Sequence, residues 1–286
     1  MNGATEVPDR LVAGAGGVPI AVFESGSRSA PPVVLVHGAT ADHTTWRTSG
    51  PLLGARRRLL AIDRRGRGAS GDGPPGESYS IEREYDDLAA IASAVATETG
   101  AGVDVVGHSY GGRVGLGAAL RTEAIRRVVC YEGAPPADAG PRYQDADAGT
   151  LRRVEALVAA GDRDAALTTF MREIVGMPPD ELDAFRANPI WPRRAAAVDT
   201  TIRELRAEVE PAAGLTALGT VRQPVLQILG GASAEAFAAA TWALDARLRN
   251  GRVITITGAR HAAHHTHAAE FVAAVEAFLA APDLAD

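Results

Sequence analysis

An α/β fold built on a mostly parallel eight-stranded sheet is what this 286-residue sequence predicts. Three observations carry the prediction. Short apolar runs alternate with longer helical stretches, the rhythm of a parallel sheet covered by helices. One of these runs, Val103 to Val106, enters Gly107-His108-Ser109-Tyr110-Gly111 directly. The alternation then breaks once, over a stretch with helical runs and no strand-like one. The expected strands are residues 11–13, 20–23, 33–36, 59–62, 103–106, 128–131, 225–229 and 253–256. Several read as unbroken apolar runs, as strands covered on both faces do. Helices are expected over 43–53, 85–99, 110–121, 235–249 and 268–280. The interrupting stretch opens at Pro135-Pro136 and Pro141 and closes before Pro224; its helical runs are 151–160, 163–175, 181–187 and 193–209. The expected domains are a core from residues 1–134, an all-helical cap at 135–222 inserted between strands 6 and 7, and the rest of the core at 223–286. Such an insertion would lie over the carboxyl ends of the strands, where open α/β sheets bind ligands.

Hydrophobic residues make up 46% and charged ones 22%, ordinary values for a globular chain with a large core. The net charge of −6 argues against nucleic-acid binding, which needs a basic face to neutralise phosphates. Every basic side chain is arginine and none is lysine, which reads as a compositional bias. The single cysteine, Cys130, permits no internal disulfide and sits in an apolar run, where a buried inert thiol is expected. Residues 1–10 lack the apolar core of a signal peptide and no stretch is long enough to span a bilayer, so a cytoplasmic location is expected. The implied partner is a small-molecule substrate, not nucleic acid or membrane. A homodimer is one open option for assembly.

The chemistry concentrates at Ser109. A serine hydroxyl attacks a carbonyl only when it is exposed, oriented and beside a base. The G-x-S-x-G pattern after an apolar strand is that of a nucleophile elbow, a sharp strand-to-helix turn that lifts the hydroxyl above the sheet edge. Small residues follow in Gly112, Gly115, Gly117, Ala118 and Ala119, letting the next helix lie close on the sheet. The expected base is His261, in the loop after the last strand. His264, His265 and His267 crowd the same region, but no carboxylate or cysteine motif supports a metal, and neither metal nor cofactor is expected. Two backbone N–H groups should hold the oxyanion, those of Tyr110 and Ala39, the latter in the loop His37-Gly38-Ala39-Thr40. His37 is expected to brace that loop and Trp46 to pack. His108, Phe170, Trp191 and His264 complete the candidates for the pocket or its surroundings. The segment Asp63-Arg64-Arg65-Gly66-Arg67-Gly68-Ala69-Ser70 reads as a tight structural turn. Arg193 and Arg194 could receive a carboxylate, but a solvated face is the expected use.

His37-Gly38, Asp63-x-Arg65-Gly66-x-Gly68-x-Ser70, Gly107-x-Ser109-x-Gly111-Gly112 and the terminal His261 together resemble the α/β-hydrolase superfamily, over residues 10 to 280. The resemblance implies the α/β-hydrolase fold and a Ser-His-acid triad. It leaves the reaction open among esterases, thioesterases, lipases, lactonases, carbon–carbon hydrolases, lyases and non-hydrolytic enzymes. A serine at the elbow argues against the dehalogenase and epoxide hydrolase chemistries, which use aspartate there. The departure is the acid. Members of the family usually carry an aspartate in a turn after the seventh strand, and here that turn reads Gly230-Gly231-Ala232-Ser233. Glu132, at the end of the sixth strand, is the alternative, as in members with a relocated acid. Glu235 competes but opens an expected helix, and a site with no carboxylate is the third option. Small ester or thioester hydrolysis in a largely apolar pocket is the expected function. Carbon–carbon, lyase or cyclase chemistry and a ligand-binding role with residual activity are its rivals.

Overall fold

The computed structural model describes residues 6–74, 76–138 and 147–282. Eight strands form one sheet in the order β1-β2-β4-β3-β5-β6-β7-β8. They are β1 (Arg10–Ala13), β2 (Pro19–Ser25), β3 (Pro32–Val36), β4 (Arg58–Ile62), β5 (Val103–His108), β6 (Ile125–Tyr131), β7 (Val225–Gly230) and β8 (Gly251–Ile256). Strand β2 runs antiparallel to β1 and β4, and all pairings from β4 across to β8 are parallel. The helices are α1 (Gly50–Gly54), α2 (Ile81–Thr99), α3 (Tyr110–Ala119), α4 (Asp147–Ala159), α5 (Arg163–Thr169), α6 (Pro179–Arg186), α7 (Trp191–Ala196), α8 (Val198–Ala207), α9 (Leu215–Leu218), α10 (Glu235–Asp245), α11 (Ala263–Thr266) and α12 (Ala268–Leu279).

The period-2 geometry of strands explains why the central ones read as unbroken apolar runs. Val34, Val36, Val105 and Val128 face one side, where they pack with Leu88 and Ile91 of α2, Val114 of α3 and Leu244 of α10. Val33, Leu35, Val106 and Val129 face the other, against Phe271 and Val275 of α12. Both sides bury these side chains, and the few polar positions of the central strands, such as Asp104 and Gln227, are buried too.

The helices α4–α9 lie between β6 and β7 and carry a separate apolar cluster that includes Leu167, Phe170, Met171, Trp191 and Val198. Two expected helices are divided. The expected 43–53 helix is a 3-10 turn, His43–Trp46, followed by α1, with Gly50 and Pro51 opening the second piece. The expected 193–209 helix breaks at Ala197 (φ −88°, ψ −2°), whose N–H closes α7 on the Arg194 carbonyl at 3.1 Å and whose carbonyl also accepts from Arg67 Nη1 at 2.5 Å.

Arginine carries more than composition here. Arg58, Arg64 and Arg65 are buried and each meets carboxylates, Arg65 through two nitrogens on Asp87 at 2.9 and 2.7 Å. The planar guanidinium makes such forked contacts and a lysine ammonium does not. Cys130 is buried, and burial pushes its thiol up to about 12, so it stays protonated and inert.

Candidate active site

Ser109 stands between β5 and α3 with φ 52° and ψ −125°. This strained conformation is held from both sides. The Ser109 N–H donates to the Tyr131 carbonyl on neighbouring β6 at 2.7 Å, and the Ser109 carbonyl accepts from Gly112 N–H at 2.8 Å. The turn closes only because its glycines admit backbone where a side chain would sit. A Cβ on Gly107 would lie 2.3 Å from the Gly111 carbonyl oxygen, and one on Gly111 2.3 Å from that of Val36. Tyr110 opens α3, so its N–H has no acceptor within the helix and lies at the positive end of the helix dipole.

Glu132 follows β6 in a left-handed conformation, φ 46°, and is buried. Its Oε2 meets His261 Nδ1 at 2.6 Å. Its Oε1 accepts from the Gly230 N–H at 2.7 Å and from the Ser233 hydroxyl at 2.6 Å. Ser233, in the turn after β7, thus donates to the same carboxylate that meets His261. With the carboxylate accepting at Nδ1, the proton sits on that nitrogen and Nε2 keeps its lone pair. Glu235 is exposed in the first turn of α10.

His261 is fixed on three further sides. Phe237 stacks on its ring at 4.4 Å. His108 Nε2 lies 2.7 Å from the His261 carbonyl, which can only accept, so Nε2 carries the His108 proton. The Tyr131 hydroxyl donates to the Arg260 carbonyl and accepts from the Ala263 N–H at 2.8 Å, pinning the residues on either side. Sequence reasoning did not single out Tyr131 or Phe237. A tyrosine closing an otherwise apolar strand was the available signal, since a buried phenol needs partners.

The loop after β3 is built around one peptide. Arg64 N–H donates to His37 Nε2 at 3.0 Å, so the His37 proton is on Nδ1, which lies 2.9 Å from the Gly38 carbonyl. Arg64 Nη2 donates to the same carbonyl at 3.1 Å. A trans peptide points its C=O and N–H in opposite directions, so anchoring Gly38 O turns the Ala39 N–H the other way. Burial and the adjacent Arg64 charge hold His37 well below its ordinary pKa, hence neutral. Arg64 is itself clamped by Glu84 at 2.8 Å and Glu204 at 2.7 Å, and lies over the Tyr110 ring. The structural reading of the Asp63–Ser70 segment holds for Asp63, whose carboxylate takes the N–H groups of His43 and Ala69. For Arg64 it understates the role.

Ser109, His261, Ala39, His108, His264 and Phe170 line one cavity of about 510 Å³. Among the described residues no hydrogen bond joins the Ser109 hydroxyl to His261; both side chains instead face that space. Catalytic hydrogen bonds are commonly looser without substrate. Trp46 and Trp191 are not brought to the cavity. Trp46 packs beneath it near His264 and Phe271, and Trp191 lies in the insertion's own cluster with its Nε1 on Asp164 at 2.6 Å. His264 Nε2 lies 3.3 Å from Thr45 Oγ1. A carboxylate–histidine cluster that the sequence did not flag joins Asp42, His43 and Asp63, but its atoms are committed to each other, to Glu6 and to backbone N–H groups.

A parallel α/β sheet with a strained serine at a strand-to-helix turn defines a class, and comparison with known proteins identifies it. A family model described as the alpha/beta hydrolase family matches residues 33–275. The chain belongs to the alpha/beta hydrolase family. It is similar to the crystal structure of an alpha/beta hydrolase from Sphaerobacter thermophilus, with a TM-score of 0.76, 32% identity, and coverage of 93% of this chain and 100% of that one. It is 28% identical over 261 residues to a 2-(acetamidomethylene)succinate hydrolase of Mesorhizobium japonicum, covering 86% of each. It is also 37% identical over 118 residues to a probable oxidoreductase EphD of Mycobacterium bovis, where it covers 41% of this chain and spans only 19% of that protein. No helix of the described residues is long and apolar enough to cross a membrane.

Proposed function

We propose that the protein is a serine hydrolase that cleaves a small, largely apolar ester or thioester through an acyl-enzyme. The observation that carries this reading is the 2.6 Å contact between His261 Nδ1 and Glu132, with His261 and Ser109 on one cavity wall. His261 Nε2 takes the Ser109 proton as the oxygen attacks the substrate carbonyl, and returns it to the leaving group. The Ala39 and Tyr110 N–H groups receive the oxyanion. Water, deprotonated by the same imidazole, then releases the acid. Glu132 holds the tautomer and stabilises the imidazolium. The helical insertion, residues 135–222 in this reading, acts as the cap: Phe170, Val175, Met177 and Phe185 give the cavity an apolar wall. Hydrolysis also agrees with the name of the Mesorhizobium relative, which aligns along most of both chains.

A fluorophosphonate probe and p-nitrophenyl esters and acyl thioesters of short and medium length test the reading. The expected result is labelling of Ser109 with turnover, both abolished in Ser109→Ala. Labelling that survives the substitution, or a wild-type protein inert to probe and substrates alike, would overturn it.

A further inference from the structure

Arg194, on α7, is buried and lines the same cavity as Ser109 and His261. Charged side chains are almost never buried without a partner of opposite charge. Among the described residues Arg194 has no ion pair. Its Nη2 donates to the Thr45 hydroxyl at 3.1 Å, and its buried Nε has no hydrogen-bond partner among the described residues. The nearby carboxylate, Asp42, is taken by Arg193.

Among the described residues nothing else on the cavity wall neutralises this charge. Glu181 is exposed and pairs with Arg260 at 3.0 Å. His108 and His264 are held neutral by burial, and a neutral imidazole offers no counter-charge. Burial, reinforced by Arg47, Arg67 and Arg193, lowers Arg194 to about 10, which still leaves it charged at neutral pH. The expectation of a solvated face is therefore corrected for Arg194: it is a buried cation on the wall of the cavity that Ser109 also lines, with no carboxylate paired to it among the described residues.

We propose that Arg194 receives a free carboxylate of the substrate, so that the preferred substrate is a half-ester or half-thioester of a short dicarboxylic acid. The proposal rests on the serine hydrolase reading for the bond that is cleaved, and not for the carboxylate that is bound. A guanidinium matches a carboxylate with two parallel N–H donors, and at a buried arginine such a pair adds both affinity and orientation. Apolar residues of the same cavity, Phe170, Met171 and Val175 among them, then accommodate the methylene spacer.

Binding and turnover separate the two readings. Ser109→Ala protein, which cannot be acylated, is titrated calorimetrically with monomethyl glutarate and with dimethyl glutarate as its uncharged twin. The acid should bind at least tenfold tighter, and Arg194→Gln in the same background should erase that preference while Arg194→Lys restores part of it. In the active enzyme, the ratio of kcat/KM for p-nitrophenyl hydrogen glutarate over p-nitrophenyl valerate should fall at least tenfold in Arg194→Gln. Removing an unpaired buried charge should leave the melting temperature of Arg194→Met equal or higher. Carboxylate preference in binding without any turnover would sink the hydrolase reading and leave this one standing. Ester turnover with no preference for the acid would do the reverse. A melting temperature lowered by several degrees in both Arg194→Gln and Arg194→Met would mark a structural strut and overturn the proposal.

Discussion

The Ser233 hydroxyl donates to Glu132 Oε1 at 2.6 Å, across from the His261 contact on Oε2. The turn after β7 and the end of β6 thus meet at one carboxylate, and either could supply the acid to the same imidazole. Glu132→Gln is expected to cut kcat by about 10²–10⁴, as loss of the orienting acid does in serine hydrolases, whereas Glu235→Gln should leave it within twofold. Adding Ser233→Asp to Glu132→Ala should recover roughly tenfold of the lost rate, because the new carboxylate starts within reach of the vacated position. Steady-state kinetics on a p-nitrophenyl ester decide both. A double variant no faster than Glu132→Ala would show that the turn after β7 cannot present an acid to His261.

Tyr131→Phe removes one oxygen that holds two backbone groups, the Arg260 carbonyl and the Ala263 N–H. Leaving such groups unsatisfied costs about 1–3 kcal/mol, which corresponds to roughly 2–4 °C of melting temperature per kcal/mol at this size. The loop bearing His261 loosens, so kcat should fall about tenfold while KM changes little. Unchanged kcat with a lowered melting temperature would assign Tyr131 to stability alone.

These residues mark how far the sequence could be read. The turn at Ser109 and the meeting of His261 with Glu132 were legible because strand ends and a glycine-flanked turn leave local patterns, and the parallel sheet was legible because most of its central strand positions are apolar on both faces. The break between α7 and α8 was not, because no proline or glycine marks Ala197 and the contact of its carbonyl with Arg67 reaches across 130 positions of sequence. Arg64 and Arg194 escaped for the same reason. An arginine reads as surface until the fold shows that one is clamped by Glu84 and Glu204 and that the other is buried with no ion pair among the described residues. Burial of charge is a tertiary fact, and composition does not announce it.

Gly111→Ala places a Cβ 2.3 Å from Val36 O and 2.4 Å from His37 O, two backbone atoms that cannot rotate away. The expected loss is about 3 kcal/mol, at the upper end for overpacking. Gly161→Ala is the control: its φ is +80° with nothing within 4 Å, so only left-handed strain of about 1 kcal/mol applies. Urea unfolding midpoints compare the two. Equal losses would mean that the loop after β3 gives way and that the close approach of Gly111 is not a constraint.

Acid should destabilise the fold earlier than carboxylate titration alone requires. Burial, the largest cause in each case, holds His37, His108 and His264 well below the ordinary value of 6.5 and His265 down to about 3. For a histidine depressed in the folded state, the unfolded chain binds the extra proton as pH falls through 6.5, so stability drops with pH by up to about 1.4 kcal/mol per unit per group. His43 works in the opposite sense. Burial lowers it, but hydrogen bonds to Asp63 and Glu6 outweigh that and raise it overall. Its contribution is therefore complete below 6.5 and is lost only as pH rises, so it cannot offset the decline on the acid side. Urea midpoints measured from pH 7.5 to 5 should fall continuously below about 6.5, and His264→Gln should flatten that fall by one proton's worth. A midpoint constant across the range would mean that these rings are protonated in the folded protein, against their burial.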